Sequence, residues 1–287
     1  MIIKKYGPVI LSLTSLLVLS LPGCATMERY SSFPDARIRR GERQPNQLLP
    51  RLTADDSGSE QANRQPGDTR VQQTRAAGSG ISRMVEDGYG REFSVSTAGL
   101  SENRRRLVQA ALSLLGRENL RFSDATFPLD CTGVVLAAYH EADLDLTAEF
   151  TKYTGNGVQR LYEMAYSNGT AFSSRLPAPG DVIIWDNTYD RNENTRWDDE
   201  YTHTGIVVDV NQDGQITYIH HNYAKGIVAA RMNLQKAQTY LAETQESGST
   251  LINSPMRMKS HRYLNPDMWL SSHLFRTYVS LAELPRD

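Results

Sequence analysis

Phe127-Pro-Leu-Asp-Cys-Thr-Gly-Val-Val-Leu-Ala-Ala-Tyr139 places a cysteine at the mouth of an apolar run. Val134, Val135, Ala138 and Tyr139 fall on one side at helical spacing, which predicts a helix opening at Cys131. A cysteine in a first helical turn meets unpaired backbone N–H groups and the positive end of the dipole. Both favour thiolate, so the sequence predicts a lowered thiol pKa and a nucleophile prepared by position.

Working outward from that helix, Ser101 is a candidate cap for an upstream helix. Its apolar positions are Leu107, Ala110, Ala111, Leu114 and Leu115, and it ends at Gly116. Downstream, residues 151–168 read as a further helix burying Val158, Leu161, Tyr162 and Ala165. The turn Pro177-Ala-Pro-Gly-Asp181 then feeds Val182-Ile-Ile-Trp185, an apolar run typical of a buried strand. Residues 205–210 form a second such run, and Asn211-Gln-Asp-Gly214 turns it into Gln215-Ile-Thr-Tyr-Ile-His-His-Asn222. The expected layout is α+β: helices on one side of a small antiparallel sheet, with the nucleophile at a helix N-terminus. The stretch after Gly226, with its apolar run 269–281, closes the domain.

A thiol needs a base, and six histidines are available. His140 is more than two turns along the Cys131 helix, too far to reach the sulfur. His261 and His273 have no supporting motif and read as surface or packing residues. His203 opens the strand His203-Thr-Gly-Ile-Val-Val-Asp-Val210, where its ring is expected to face the helix lying across the sheet. An imidazole base also needs an orienting partner. Alternation puts Tyr218, His220 and Asn222 on one face of the next strand and His221 on the other, so His220 or Asn222 is the candidate. By residue type Cys131, His203 and His220 also fit a three-ligand zinc site, but a helix-initial cysteine already has a sufficient role. In residues 187–202, Asp190, Asn192 and Asn194 alternate like a calcium loop. Thr195 replaces the required glycine, however, and Tyr201 sits where the bidentate glutamate belongs. No metal or organic cofactor is expected.

The N-terminus sets the compartment. Lys4 and Lys5 precede an apolar stretch, residues 9–21, too short to span a bilayer as a mature helix, which is the layout of a secretory signal. Leu21-Pro-Gly-Cys24 resembles a lipobox, so residues 1–24 read as a lipoprotein signal with Cys24 lipidated. Ala25 is not the aspartate of inner-membrane retention, which favours an outer-membrane anchor facing the periplasm. Residues 25–99 are rich in Arg, Gln, Asp, Ser, Gly and Pro with no sustained apolar period, and read as a disordered tether before a domain at residues 100–287. Signal removal would leave Cys131 the one unacylated cysteine in an oxidising compartment, a liability unless the thiol has a task. The net charge of −2 and pI near 6.3 provide no basic field for nucleic acid.

Four blocks then stand in order: Asp130-Cys-Thr-Gly133, Pro179-Gly-Asp-Val182, His203-Thr-Gly-Ile-Val207 and Tyr218-Ile-His-His-Asn222. Together they resemble the NlpC-type and CHAP cell-wall cysteine peptidases and amidases, which share a papain-like core, over residues 107–222. The resemblance implies a Cys131 nucleophile, a His203 base and a polar third member, and hydrolysis of an amide in peptidoglycan. In NlpC-type members the third residue is often histidine, which maps to His220. CHAP members often carry an acidic residue and then asparagine two positions on, which maps to His220 and Asn222. Many NlpC-type members have a tyrosine shortly before the cysteine where this chain has Phe122, so a hydroxyl donor to the oxyanion is missing. That departure keeps open a catalytically silent lipoprotein that binds peptidoglycan or a partner enzyme, or an enzyme gated by a protein partner.

Overall fold

The computed structural model describes residues 73–75, 81–244 and 248–284. The residues read as a signal sequence, Cys24 and most of those read as a tether lie outside the described residues. The helices are α1 (Glu102–Ser113), α2 (Cys131–Glu141), α3 (Thr147–Phe150) and α4 (Gly157–Ser167). The strands are β1 (Gln73–Arg75), β2 (Ile81–Glu86), β3 (Glu92–Ser96), β4 (Leu120–Arg121), β5 (Thr126–Phe127), β6 (Ala171–Phe172), β7 (Val182–Trp185), β8 (His203–Val210), β9 (Ile216–Asn222), β10 (Gly226–Met232), β11 (Leu241–Thr244), β12 (Gly248–Leu251) and β13 (Phe275–Val279).

Ser101 caps α1 as expected, its side chain accepting from the Arg104 N–H. α4 starts six residues later than the apolar period suggested, because α3 and a turn precede it and Asn156 caps it through the Gln159 N–H. The central sheet has six strands in the order β10-β9-β8-β7-β13-β6, all paired antiparallel. Alternation along it builds two cores. Ile184, Ile206, Val208, Ile219 and Ala229 pack with Leu107, Ala111, Val134, Ala138, Leu161 and Ala165 of the helices. Ile183, Trp185, Val207, Tyr218 and Met232 point the other way, with Leu274 and Tyr278 and no residue of a helix α1–α4. The fold is thus mixed helix and sheet, with the helices on one face, in keeping with the α+β expectation.

The tether reading needs correction at its C-terminal end. β2 and β3 form an antiparallel hairpin whose Val85, Phe93 and Val95 are buried in the helix-side core. Three apolar side chains, each contributing about 2 kcal/mol on burial, suffice to dock a hairpin most of whose other residues are polar. Polar composition hid it, because only one residue in two faces the core.

The Pro179-Gly-Asp turn is fixed by a buried carboxylate. Asp181 is fully buried; its side chain accepts from the Ala178 N–H and from Arg104 Nη2, each at 2.8 Å. Arg104 also donates to the Pro179 carbonyl and the Ser280 hydroxyl, tying α1 to the start of β7 and the end of β13. Arg104→Ala would strand that charge. An expected loss of about 2–3 kcal/mol, below the full cost of breaking a buried pair because Asp181 keeps its backbone donor, is measurable as a lower urea midpoint at unchanged m.

Candidate active site

Asp130 closes the start of α2, its Oδ1 accepting from the Gly133 N–H at 2.7 Å and its carbonyl from the Val134 N–H. Cys131 is therefore the first residue of the helix, half-buried. Its sulfur is met by the backbone N–H groups of Thr204 and Thr132 and by the Thr132 hydroxyl. Thr204 is the second residue of β8, so the thiol docks on the backbone next to His203. The expected lowering of the thiol pKa is overturned. Burial, and after it the neighbouring Asp130 carboxylate, push the thiol up to about 11, and the three hydrogen bonds offset this only in part.

His203 pairs with Trp185 across β7 and β8, with ring centroids 5.8 Å apart. Its Nε2 lies 2.7 Å from Nδ1 of His220, with the two rings edge to face at 88°. Gly205 makes this approach feasible, since a Cβ there would sit 2.9 Å from the Ile219 carbonyl and 3.1 Å from His220 Cβ. Burial pushes His203 down to about 3, with His221 adding repulsion, and it pushes His220 well below its ordinary value. Both rings are neutral at pH 7. Two nitrogens 2.7 Å apart share one proton and leave no room for a metal between them. Among the described residues no cluster of three or more His, Cys, Asp or Glu could hold a metal ion.

Alternation accounts for a second difference from expectation. His203 belongs with Gly205 and Val207, on the Trp185 and Tyr218 side, and its ring is turned toward His220. Among the described residues no hydrogen bond joins the Cys131 sulfur to His203; the sulfur rests on Thr204 instead. Asn222 is also corrected as an orienting group, because its Oδ1 accepts from the Ala224 and Lys225 N–H groups in the turn to β10. The structure therefore unites His203 with His220, holds Cys131 one residue away, and commits the Asn222 oxygen to the turn.

The remaining histidines have other surroundings. His140 pairs with Asp124 at 3.1 Å within an aromatic cluster with Phe122 and Phe127. His261 Nδ1 accepts from the Asp190 N–H, and His273 Nδ1 from the Trp269 and Leu270 N–H groups. His221 sits opposite Ile227 on β10, and burial lowers its pKa more than the Asp130 carboxylate raises it. The carboxylate of Asp190, the calcium candidate, accepts from the Asn194 and Thr195 N–H groups of its own loop.

A family model for the CHAP domain matches residues 122–222. The CHAP match spans the cysteine helix and both histidine strands, and it supports a CHAP/NlpC-type peptidase superfamily for this region. CHAP domains are generally hydrolases, and the family suggested is that of peptidoglycan amidases and peptidases. No curated protein and no solved structure matches the chain.

Sequence reasoning missed Thr204, whose backbone N–H meets the sulfur. Thr204 adjoins a named residue and was within reach of the motif.

Proposed function

We propose that this chain is a lipid-anchored envelope hydrolase that cleaves an amide bond in peptidoglycan, in a stem peptide or at the glycan–peptide junction, through a papain-like Cys131–His203–His220 triad. The single observation that carries the reading is the 2.7 Å contact between His203 Nε2 and His220 Nδ1 beside the strand backbone on which the Cys131 sulfur docks. With His203 Nε2–H donating to His220 Nδ1, the Nδ1 lone pair of His203 is the one left for the thiol proton. Substrate entry brings sulfur and imidazole into contact, a tightening common when a catalytic site fills.

The thiolate then attacks the carbonyl, and the Cys131 N–H, unpaired within its helix, donates to the oxyanion. His203 protonates the departing nitrogen, and water hydrolyses the acyl-enzyme. Cys24 acylation by several chains would hold the protein stably on the periplasmic face of the outer membrane, each buried methylene adding about 0.8 kcal/mol. The competing reading is a silent binder, favoured by Phe122, whose ring lies in the aromatic cluster with Phe127 and offers no hydroxyl.

The test is digestion of purified muropeptides and intact sacculi by the full-length chain in detergent under reducing conditions. Fragments whose summed mass exceeds the parent by one water are the expected products. Retention on sacculi without any cleavage, by folded protein, would leave the binding lipoprotein.

A further inference from the structure

We propose that Tyr201, Tyr162 and Tyr166 form a row beside the cysteine site on which sugar rings of a glycan strand stack; the identity of this occupant rests on the peptidoglycan reading above. The three rings are successive neighbours. Tyr201 lies 5.0 Å from Tyr162, centroid to centroid, and Tyr162 lies 5.7 Å from Tyr166 with the two planes 25° apart. Tyr162 and Tyr166 stand at i and i+4 on α4, hence on one face of the helix. Rings at that distance and angle are offset rather than face to face, so each keeps part of a face open. Tyr201 and Tyr162 are half-buried against the helix-side core, whereas Tyr166 is 64% exposed.

Two elements tie the row to the site. Tyr201 stands two residues before His203. The first residue of α4 abuts the neighbour of Cys131, since a Cβ on Gly157 would lie 2.5 Å from Thr132 Oγ1. From that end the helix rises about 1.5 Å per residue, which puts Tyr162 about 8 Å and Tyr166 about 14 Å farther along its axis. A polymer stacked on the row therefore runs away from the thiol, while a peptide hanging from it can reach back.

Tyr201 is held in place at a cost. Its φ of 55° is an outlier for a bulky side chain and persists where surrounding bonds over-determine it. Asp186 takes its N–H at 2.7 Å, and Arg276 donates to its hydroxyl at 2.9 Å with the guanidinium carbon 4.1 Å from the ring centroid. Arg276 is in turn matched by Asp186 at 2.7 Å and Glu200 at 3.3 Å. With that cation committed, the carboxylates of Glu200 and of Glu163, beside Tyr162 on α4, leave the rim acidic. Such a rim repels phosphate and carboxylate polymers. An apolar partner would leave the phenol hydroxyls and carboxylates without hydrogen bonds. A neutral pyranose satisfies both demands, with its C–H face on the ring and its hydroxyls donating to the carboxylates. A peptidoglycan strand is neutral where its lactyl carboxyl is amidated by the stem peptide.

The experiment titrates the full-length chain, as wild type, Tyr166→Ala and Tyr166→Phe, with a chitin oligosaccharide by calorimetry in a detergent that has no sugar headgroup. It also records kcat and KM on sacculi and the melting temperature of each chain. Tyr166→Ala is expected to weaken oligosaccharide binding about tenfold, the worth of one ring face, and to raise KM by a similar factor at unchanged kcat and melting temperature. Tyr166→Phe, which keeps the face, should stay within about twofold of wild type. Cleavage by a wild type that binds no oligosaccharide, or whose KM is unmoved in Tyr166→Ala, overturns the row and leaves the hydrolase standing. Self-association through Tyr166 in place of sugar binding makes the row an interface between copies and overturns it too. Oligosaccharide binding that is lost in Tyr166→Ala, with no cleavage by any chain, overturns the hydrolase reading and supports the row as part of a binder.

Discussion

Replacing Cys131 by alanine is expected to reduce muropeptide cleavage to background, a loss of roughly ten-thousand-fold or more, with little change in melting temperature. On the proposed mechanism the sulfur is the atom that bonds to substrate, so its removal leaves no route to the acyl-enzyme. The manner in which wild-type activity depends on pH should be equally telling. With the thiol pushed up to about 11 and His203 pushed down to about 3, both groups stay neutral between those limits. The resting site is then a thiol and an imidazole, with no ion pair, and kcat/KM should be level from about pH 7 to pH 9. A bell with a limb inside that window would mean a preformed thiolate–imidazolium pair.

Below that window stability intervenes, and its sign follows from the same burial. The folded imidazole of His203 refuses a proton that the unfolded chain accepts near pH 6.5. Protonation therefore favours the unfolded state, so stability present above about pH 6.5 is lost progressively as pH falls toward 3. Activity lost on acidification must be separated from unfolding by a parallel melting measurement.

The same contrast between position and burial marks what could be read in the sequence. Asp130-Cys-Thr-Gly carries its structure locally: Asp130 takes the Gly133 N–H within four residues, so the helix start was legible. Period-two alternation on β9 offered His220 or Asn222 beside His203; His220 is the one in contact with it, and the Asn222 oxygen is taken up by the turn. The thiol pKa was misread because a helix start is a local feature, whereas burial comes from β8 and its surroundings, more than seventy positions away. The β2–β3 hairpin was hidden by composition, since Phe93 and Val95 alternate with exposed Glu92, Ser94 and Ser96.

Gly133→Ala is expected to damage both stability and rate, more than any other single methyl in the site. A Cβ at this position would lie 1.8 Å from the Pro128 carbonyl oxygen and 2.8 Å from its carbon. Both are backbone atoms, so no side-chain rotation relieves the clash. Either the Pro128–Asp130 segment lifts or the first turn of α2 unwinds, and proline restricts the first route by fixing its own φ. Overpacking of this kind costs about 3 kcal/mol, or roughly 6 to 12 °C in melting temperature for a domain of this size. Asp130 and Cys131 lie between the two clashing residues, so either relief shifts the sulfur from the Thr204 N–H and opens the 2.7 Å bond from Gly133 to Asp130. A displacement of about 1 Å at a reacting atom is worth about 100-fold in rate. Variant protein assayed well below its own melting point should therefore still be about 100-fold slower than wild type. Full activity there would mean that the segment over the helix start is looser than the contact at Pro128 requires.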